Sequence, residues 1–169
     1  MTQNPSLAKA KSDGMEYENN FELFCRTLGV GSVQHKDYIR GGTSQLIDDP
    51  CILIKHCPYV SIYGGDLCHT EFVLKLADRR LRIELKTQNK KGSTDEKIPY
   101  FFENVEHQFE EDEIILGMFG EGFRHGMPMW IESRINKIDK NVKVFYRLED
   151  LENYIEHEII KTQAWFIND

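Results

Sequence analysis

The sequence predicts an α/β (α+β) class in which a central mixed β-sheet is flanked by helices, and three observations predict it. Apolar residues recur every three or four positions over residues 15–28 and 148–160, which is helical spacing. Two neighbouring runs, 71–76 and 81–88, alternate apolar and polar residues as strands do. Strand-like and helix-like segments are interleaved along the chain rather than segregated. With 169 residues, 40% of them hydrophobic, there is material for one core. The expected organisation is a flexible polar tail over 1–13 and a single domain over 14–169.

Taken in order, the first helix is carried by Tyr17, Phe21, Phe24, Cys25 and Leu28, and Gly29 stops it. Residues 30–65 are interrupted by Gly41-Gly42, Asp48-Asp49-Pro50 and Gly64-Gly65, leaving short pieces of unassigned order and one strand over 51–55. The alternating runs pair as a hairpin around Ala77-Asp78-Arg79-Arg80. A loop over 92–99 then leads into a helix over 100–109, with Pro99 tolerated only near its start. Residues 113–119 read as a buried strand ending at Gly120-Glu121-Gly122. Helix follows over 128–138, strand over 142–146, and a last helix runs through Leu151, Tyr154, Ile155 and Ile159. The acidic run Glu110-Glu111-Asp112-Glu113 reads as a solvated turn.

Composition narrows the function. No apolar run approaches the roughly 20 residues of a membrane helix. The start, Met1-Thr2-Gln3-Asn4-Pro5, lacks the order of a signal peptide, so a cytoplasmic protein without a membrane partner is expected. Cys25, Cys51, Cys57 and Cys68 are too few and too irregularly spaced for a disulfide scaffold. Cys57 and Cys68, even with His56 and His69, lack the close cysteine pairs of structural zinc sites. A net charge of -7 argues against a general nucleic-acid coat, whose affinity comes from Lys and Arg on phosphates. It is compatible with an enzyme whose acids hold a cation.

The hairpin concentrates the chemistry. A register that sets Leu76 across from Leu81, Leu74 from Ile83 and Phe72 from Leu85 makes one face apolar throughout. The other face then sets Val73 across from Glu84 and Glu71 across from Lys86, with Gln88 further along. Residues two apart on a strand lie about 6.6 Å apart on one face, and diagonal cross-strand neighbours lie about 7 to 8 Å apart. The Glu71 and Glu84 carboxylates are thus expected to converge on one ion. Mg²⁺ suits them, because it takes hard oxygen ligands at about 2.0 to 2.1 Å and keeps several waters for a phosphate to replace. Lys86 is placed to orient an attacking water and to stabilise charge on the phosphorus, and Gln88 to position water or phosphate. An Glu-x-Lys on a strand is by itself an ordinary ion pair more often than a site; the added Glu71, Gln88 and following loop make the difference.

The run Glu71-Phe72-Val73-Leu74, a turn, then Glu84-Leu85-Lys86 resembles the PD-(D/E)xK nuclease superfamily. The continuation through Gln88 and residues 92–100 resembles its restriction-endonuclease-like branch. The resemblance extends weakly over roughly 14–135 and is specific only over 71–100. It implies a restriction-endonuclease-like sheet, divalent metal (Mg²⁺, with Mn²⁺ as a substitute) and a DNA substrate. Glu18 matches an acid often found on the first helix of that group, which makes it a candidate metal ligand. Within the same run, Ser93 and Lys97 are candidate substrate contacts, although Lys97 has Asp95 and Glu96 as alternative partners. One departure stands out: the first acid is usually Asp, and Glu71 holds that place. Asp66, just after Gly64-Gly65, is the alternative first ligand; register favours Glu71.

The reading is a Mg²⁺-dependent DNA endonuclease with Glu71 and Glu84 on the metal and Lys86 assisting the nucleophile. Two strands of a duplex related by local two-fold symmetry, against one site per chain, lead to the expectation of a homodimer. The rivals are a structure-specific repair, recombination or phage nuclease of the same fold, a catalytically degenerate DNA- or partner-binding module, and a zinc-stabilised interaction domain.

Overall fold

The computed structural model describes residues 5–40 and 49–168, with side chains described over 14–40 and 49–167. Among the described residues, eleven elements follow one another: α1 (Pro5–Thr27), β1 (Gly31–Gln34), α2 (His35–Tyr38), β2 (Cys51–Val60), β3 (Leu67–Leu76), β4 (Arg79–Thr87), α3 (Thr94–His107), β5 (Glu113–Phe119), α4 (Met127–Ile135), β6 (Val142–Phe145) and α5 (Leu148–Asn168). The six strands form one mixed sheet in sequence order. β2, β3 and β4 make an antiparallel meander. β1 pairs parallel to β2, and β4, β5 and β6 run parallel. Each parallel step from β4 to β6 needs a crossover, and α3 and α4 supply them, both on one face.

The opposite face carries α1 and α5. Phe21 and Cys25 of α1 and Leu151, Ile155 and Ile159 of α5 close over Leu53, Leu74, Leu76, Leu81, Ile83 and Ile115. Under α3 and α4, Ile98, Phe102, Val105 and Ile131 pack on Ile114, Leu116 and Met118. β5 is therefore buried on both sides along its whole length, as its unbroken apolar run requires. A third cluster, Val33, Ile52, Ile54, Cys57 and Val73, lies beside α2. Among the described residues, no helix is long and apolar enough to cross a membrane.

Several expectations change at their edges. α1 begins at Pro5, inside the segment expected to be a tail. Proline suits a first helical turn, and Ala8, Lys9, Ala10 and Lys11 are strong helix formers. The interrupted region yields β1, α2 and a ten-residue β2 in place of a short strand; its break at Gly41-Gly42 lies outside the described residues. α3 starts at Thr94, so Pro99 sits inside the helix rather than before it. The missing N–H costs one bond near the first turn, and burial of Ile98, Phe101 and Phe102 offsets it.

The hairpin corrects the register itself. Leu76 pairs with Arg79, Leu74 with Leu81 and Phe72 with Ile83, two residues away from the expected pairing. The cause is the turn: Ala77, at φ 51°, and Asp78 complete it alone, so Arg79 and Arg80 join the strand. A two-residue slip preserves which side chains share a face, because strand periodicity is two. The apolar face survives intact, while the partner of every polar residue changes.

Candidate active site

β3 and β4 pair only up to Phe72 and Ile83, after which β4 continues alongside β5. The strands part where Glu71 sits. At the same rung β2 is bent: His56, at φ 53°, breaks the alternation, so that Ile52, Ile54 and then Cys57 enter one cluster. Into the gap Glu71 extends its side chain, and Leu85 N–H donates to its Oε2 at 3.1 Å. A carboxylate thus satisfies a backbone donor that a strand would otherwise satisfy.

Glu84 and Lys86 lie beside it on the α3 face, opposite Leu116 and Met118 of β5 in the parallel register. Lys86 Nζ ion-pairs with Glu84 Oε1 and lies 3.6 Å from Glu71 Oε1. Burial, and then the charge of Glu71, push the Glu84 carboxyl well above its ordinary range, with Lys86 opposing. Burial also disfavours the Lys86 ammonium, but Glu84 and Glu71 outweigh it and raise its pKa. Glu84 Oε2 is buried without any hydrogen-bond partner, the one such side-chain atom among the described residues. A buried orphan oxygen beside a second carboxylate is the donor set of a hard divalent cation, and the residues present fit one.

α1 brings Glu18 near Glu71 and Lys86. Tyr17 stacks on Phe119 at 4.9 Å and Phe21 meets Phe72 at 5.4 Å, fixing the helix over the sheet. One turn on, Glu22 accepts from Lys55 Nζ at 2.7 Å and from Ser32 Oγ at 2.6 Å. Glu18 is held half-buried, its pKa raised by burial and then by Glu71. Glu71 and Lys86 accordingly act on both Glu18 and Glu84.

The remaining candidates are placed elsewhere. Asp66 is exposed in the turn before β3. Glu71 is five positions further on, roughly 16 Å of extended strand. Gln88 is buried and fully engaged: Nε2 donates to Asp95 Oδ1 (3.1 Å) and to the Gly122 carbonyl (2.9 Å), while Oε1 accepts from Thr94 N–H (2.9 Å). It joins the end of β4 to α3 and to the loop after β5. Ser93 and Lys97 are exposed at the start of α3, and Asp95 pairs with Arg124 at 3.2 Å instead of with Lys97. Cys57 is buried with its thiol pushed up to about 12, chiefly by burial, and its Sγ donates to the Ile54 carbonyl.

Across 9–160 the chain matches the family model described as a PD-(D/E)XK nuclease superfamily domain. The chain belongs to the PD-(D/E)XK nuclease superfamily. Neither a curated protein nor a solved structure matches it. The superfamily assignment makes it a nuclease domain, and the mixed sheet with helices on both faces agrees with that fold.

Two features around the superfamily's Glu-x-Lys escaped the sequence reading. Arg82, two residues before Glu84 on the same face, is buried and gripped by Glu111 through Nε and Nη2, each at 2.7 Å, and Thr70 Oγ1 accepts from Nη1 at 2.9 Å. Its guanidinium also lies over Phe109 at 4.8 Å. The acidic run expected in solvent is therefore a correction: Glu111 and Glu113 are buried, Glu113 taking Tyr154, Asn141 and Lys143. An arginine on the inward side of an alternating strand was the available signal, since it demands a buried acid. Tyr59 is the second: burial and then the charge of Glu84 raise its pKa, which places its hydroxyl in the field of the site.

Proposed function

We propose that this nuclease is a Mg²⁺-dependent DNA endonuclease of restriction-endonuclease-like type, acting in the cytoplasm as a homodimer. The observation that carries the reading is the Glu71, Glu84 and Lys86 cluster, in which Glu84 Oε2 is buried without a hydrogen-bond partner and Lys86 reaches both carboxylates. Glu71 and Glu84 would hold the metal, with Glu18 at its side. When bound, the cation supplies Lewis-acid stabilisation of the phosphate and a lowered pKa for water. Lys86, kept protonated by the two glutamates, orients the nucleophile and faces the charge that grows on the phosphate. Gln88 positions the strand end rather than the substrate, because all three of its hydrogen bonds go to protein. Exposed Lys97 and Ser93 are offered to the phosphate backbone. The homodimer follows from the symmetry of duplex DNA.

Cleavage of supercoiled, linear and branched DNA with Mg²⁺ or Mn²⁺ tests this, with Lys86→Ala purified identically. Cutting that is lost by at least 100-fold in a variant with unchanged circular dichroism supports the assignment. No cutting by the native chain on any of the substrates sinks it and leaves a degenerate binding module.

A further inference from the structure

Beside the strand of the candidate site, α3, α4 and the loop before α4 line an open pocket of about 460 Å³ that the cleavage reaction as described does not use. That volume is in the range of small-molecule sites. Its walls are Pro99 of α3 with Met127 and Trp130 of α4, and its rim carries Arg124 and Glu96. Trp130 stands edge-on to Phe102, centroids 5.7 Å apart, and remains 40% exposed, so an aromatic surface is held rigidly and left open. Arg124 pairs through Nε with the buried Asp95, and its side chain is still 68% exposed. The guanidinium is anchored at one edge and free to meet an anion.

Asp95 also ties the cavity to the active site. Its Oδ1 accepts from Gln88 Nε2 at 3.1 Å. Gln88 follows Lys86 by two residues on one face, about 6.6 Å along the chain. An apolar pocket with a tryptophan, an arginine and a carboxylate in its lining is therefore tied to the strand that carries Lys86. The matching ligand is flat and aromatic, with a negative group on one side and an amino group on another.

We propose that this cavity holds an unstacked nucleobase of the substrate strand, stacked on Trp130, with its phosphate on Arg124 and an exocyclic amino group donating to Glu96. The inference rests on the nuclease reading and adds that the substrate is engaged through an extruded or single-stranded base next to the cut. Adenine, cytosine and guanine carry the amino group and thymine does not, so thymine is the disfavoured occupant.

The test uses the full chain and an oligonucleotide duplex with a single-stranded extension that it cleaves in Mg²⁺, in which single abasic sites are placed at each position flanking the cut. Stacking on an aromatic side chain carries an effect of roughly 5- to 150-fold. The expected result is one flanking position where base removal lowers kcat/KM by that factor, where Trp130→Ala gives the same loss, and where the two together lose no more than either. Trp130→Phe restores most of the activity, which separates stacking from a packing defect at Phe102. Arg124→Gln lowers kcat/KM without changing which position is sensitive. Cleavage with no sensitive position, or losses that multiply in the combination, overturns the cavity proposal alone. Absence of DNA cleavage by the native chain overturns the nuclease reading as well.

Discussion

Glu84 is a residue in an unfavourable place by any measure of ordinary folding. Its carboxyl is buried against Glu71, one oxygen makes no hydrogen bond, and its pKa is pushed up by burial first and Glu71 second. A cation held by the two carboxylates would offset their repulsion and give the unpartnered oxygen a partner. Mg²⁺ or Mn²⁺ should therefore stabilise the folded chain, by about 2.7 kcal/mol at one hundred times the dissociation constant. A thermal melt with and without metal measures it, and Glu84→Gln should abolish the metal-dependent part of the shift. The sign with pH follows from competition. A carboxyl whose folded pKa is raised stays protonated above the ordinary value near 4.5, and the proton blocks the ligand. The metal-induced shift should accordingly grow as pH rises through that raised pKa and fade as it falls. A shift that is constant from acid to neutral pH would contradict the placement of Glu84 on the metal.

At the scale of elements, the site depends on how β4 is held after it parts from β3. The buried Arg82–Glu111 pair ties β4 to the segment before β5, and it is closed on both sides. Removing one partner leaves a buried charge uncompensated, so Arg82→Ala should cost about 3 to 5 kcal/mol in denaturant unfolding. Replacing both members with apolar residues of similar volume should recover much of that loss. Burial acts to raise the Glu111 pKa, but Arg82 outweighs it and the net shift is downward. A depressed carboxylate contributes stability that is present above the unfolded value near 4.5 and is lost as pH falls through the folded one. Acid unfolding of the native chain should show this term, and the doubly apolar variant should lack it. The far end of β4 is held by backbone contact. A Cβ on Gly120, at φ 101°, would lie 2.5 Å from Asn89 Oδ1 and 2.6 Å from the Gln88 carbonyl. Gly120→Ala should then cost roughly 1 to 3 kcal/mol and loosen the loop that carries Arg124. Unchanged stability in that variant would show that the loop relaxes freely.

For the molecule as a whole, one sheet separates two apolar layers, and β5 contributes to both. Ile155 lies in one layer and Phe102 in the other, both fully buried. If the chain behaves as a single domain, damage on either side should be felt by the same transition. Ile155→Ala should cost about 2 to 5 kcal/mol and Phe102→Ala about 3 to 5. Each should move one common unfolding midpoint, followed by tryptophan fluorescence and by far-ultraviolet circular dichroism. Two separated midpoints in either variant would divide the chain into two folding units.

How much of this was legible depends on the range of the interaction. Periodicity located the core strands and helices, because side-chain alternation is a local property that survives a change of pairing. That is why Glu84 and Lys86 were found on one face even though the register was two residues out. Ala77 in a positive-φ turn, the bend at His56 and the parting of β3 from β4 are decided by neighbouring strands, and no local pattern announces them. Glu71 accordingly reached the site through the sheet gap, capping Leu85 N–H, rather than across from Lys86. Glu18 and Glu111, far before and after the motif in sequence, were brought near it or behind it only by packing of α1 and of the segment before β5. The sequence by itself determined the mixed fold class and the acidic Glu-x-Lys motif, since periodicity and residue chemistry are carried by neighbours along the chain. Which carboxylates approach one another, and where the hydrogen bonds of Gln88 and Arg82 go, only the tertiary structure decided, because burial and charge pairing arise between segments distant in sequence.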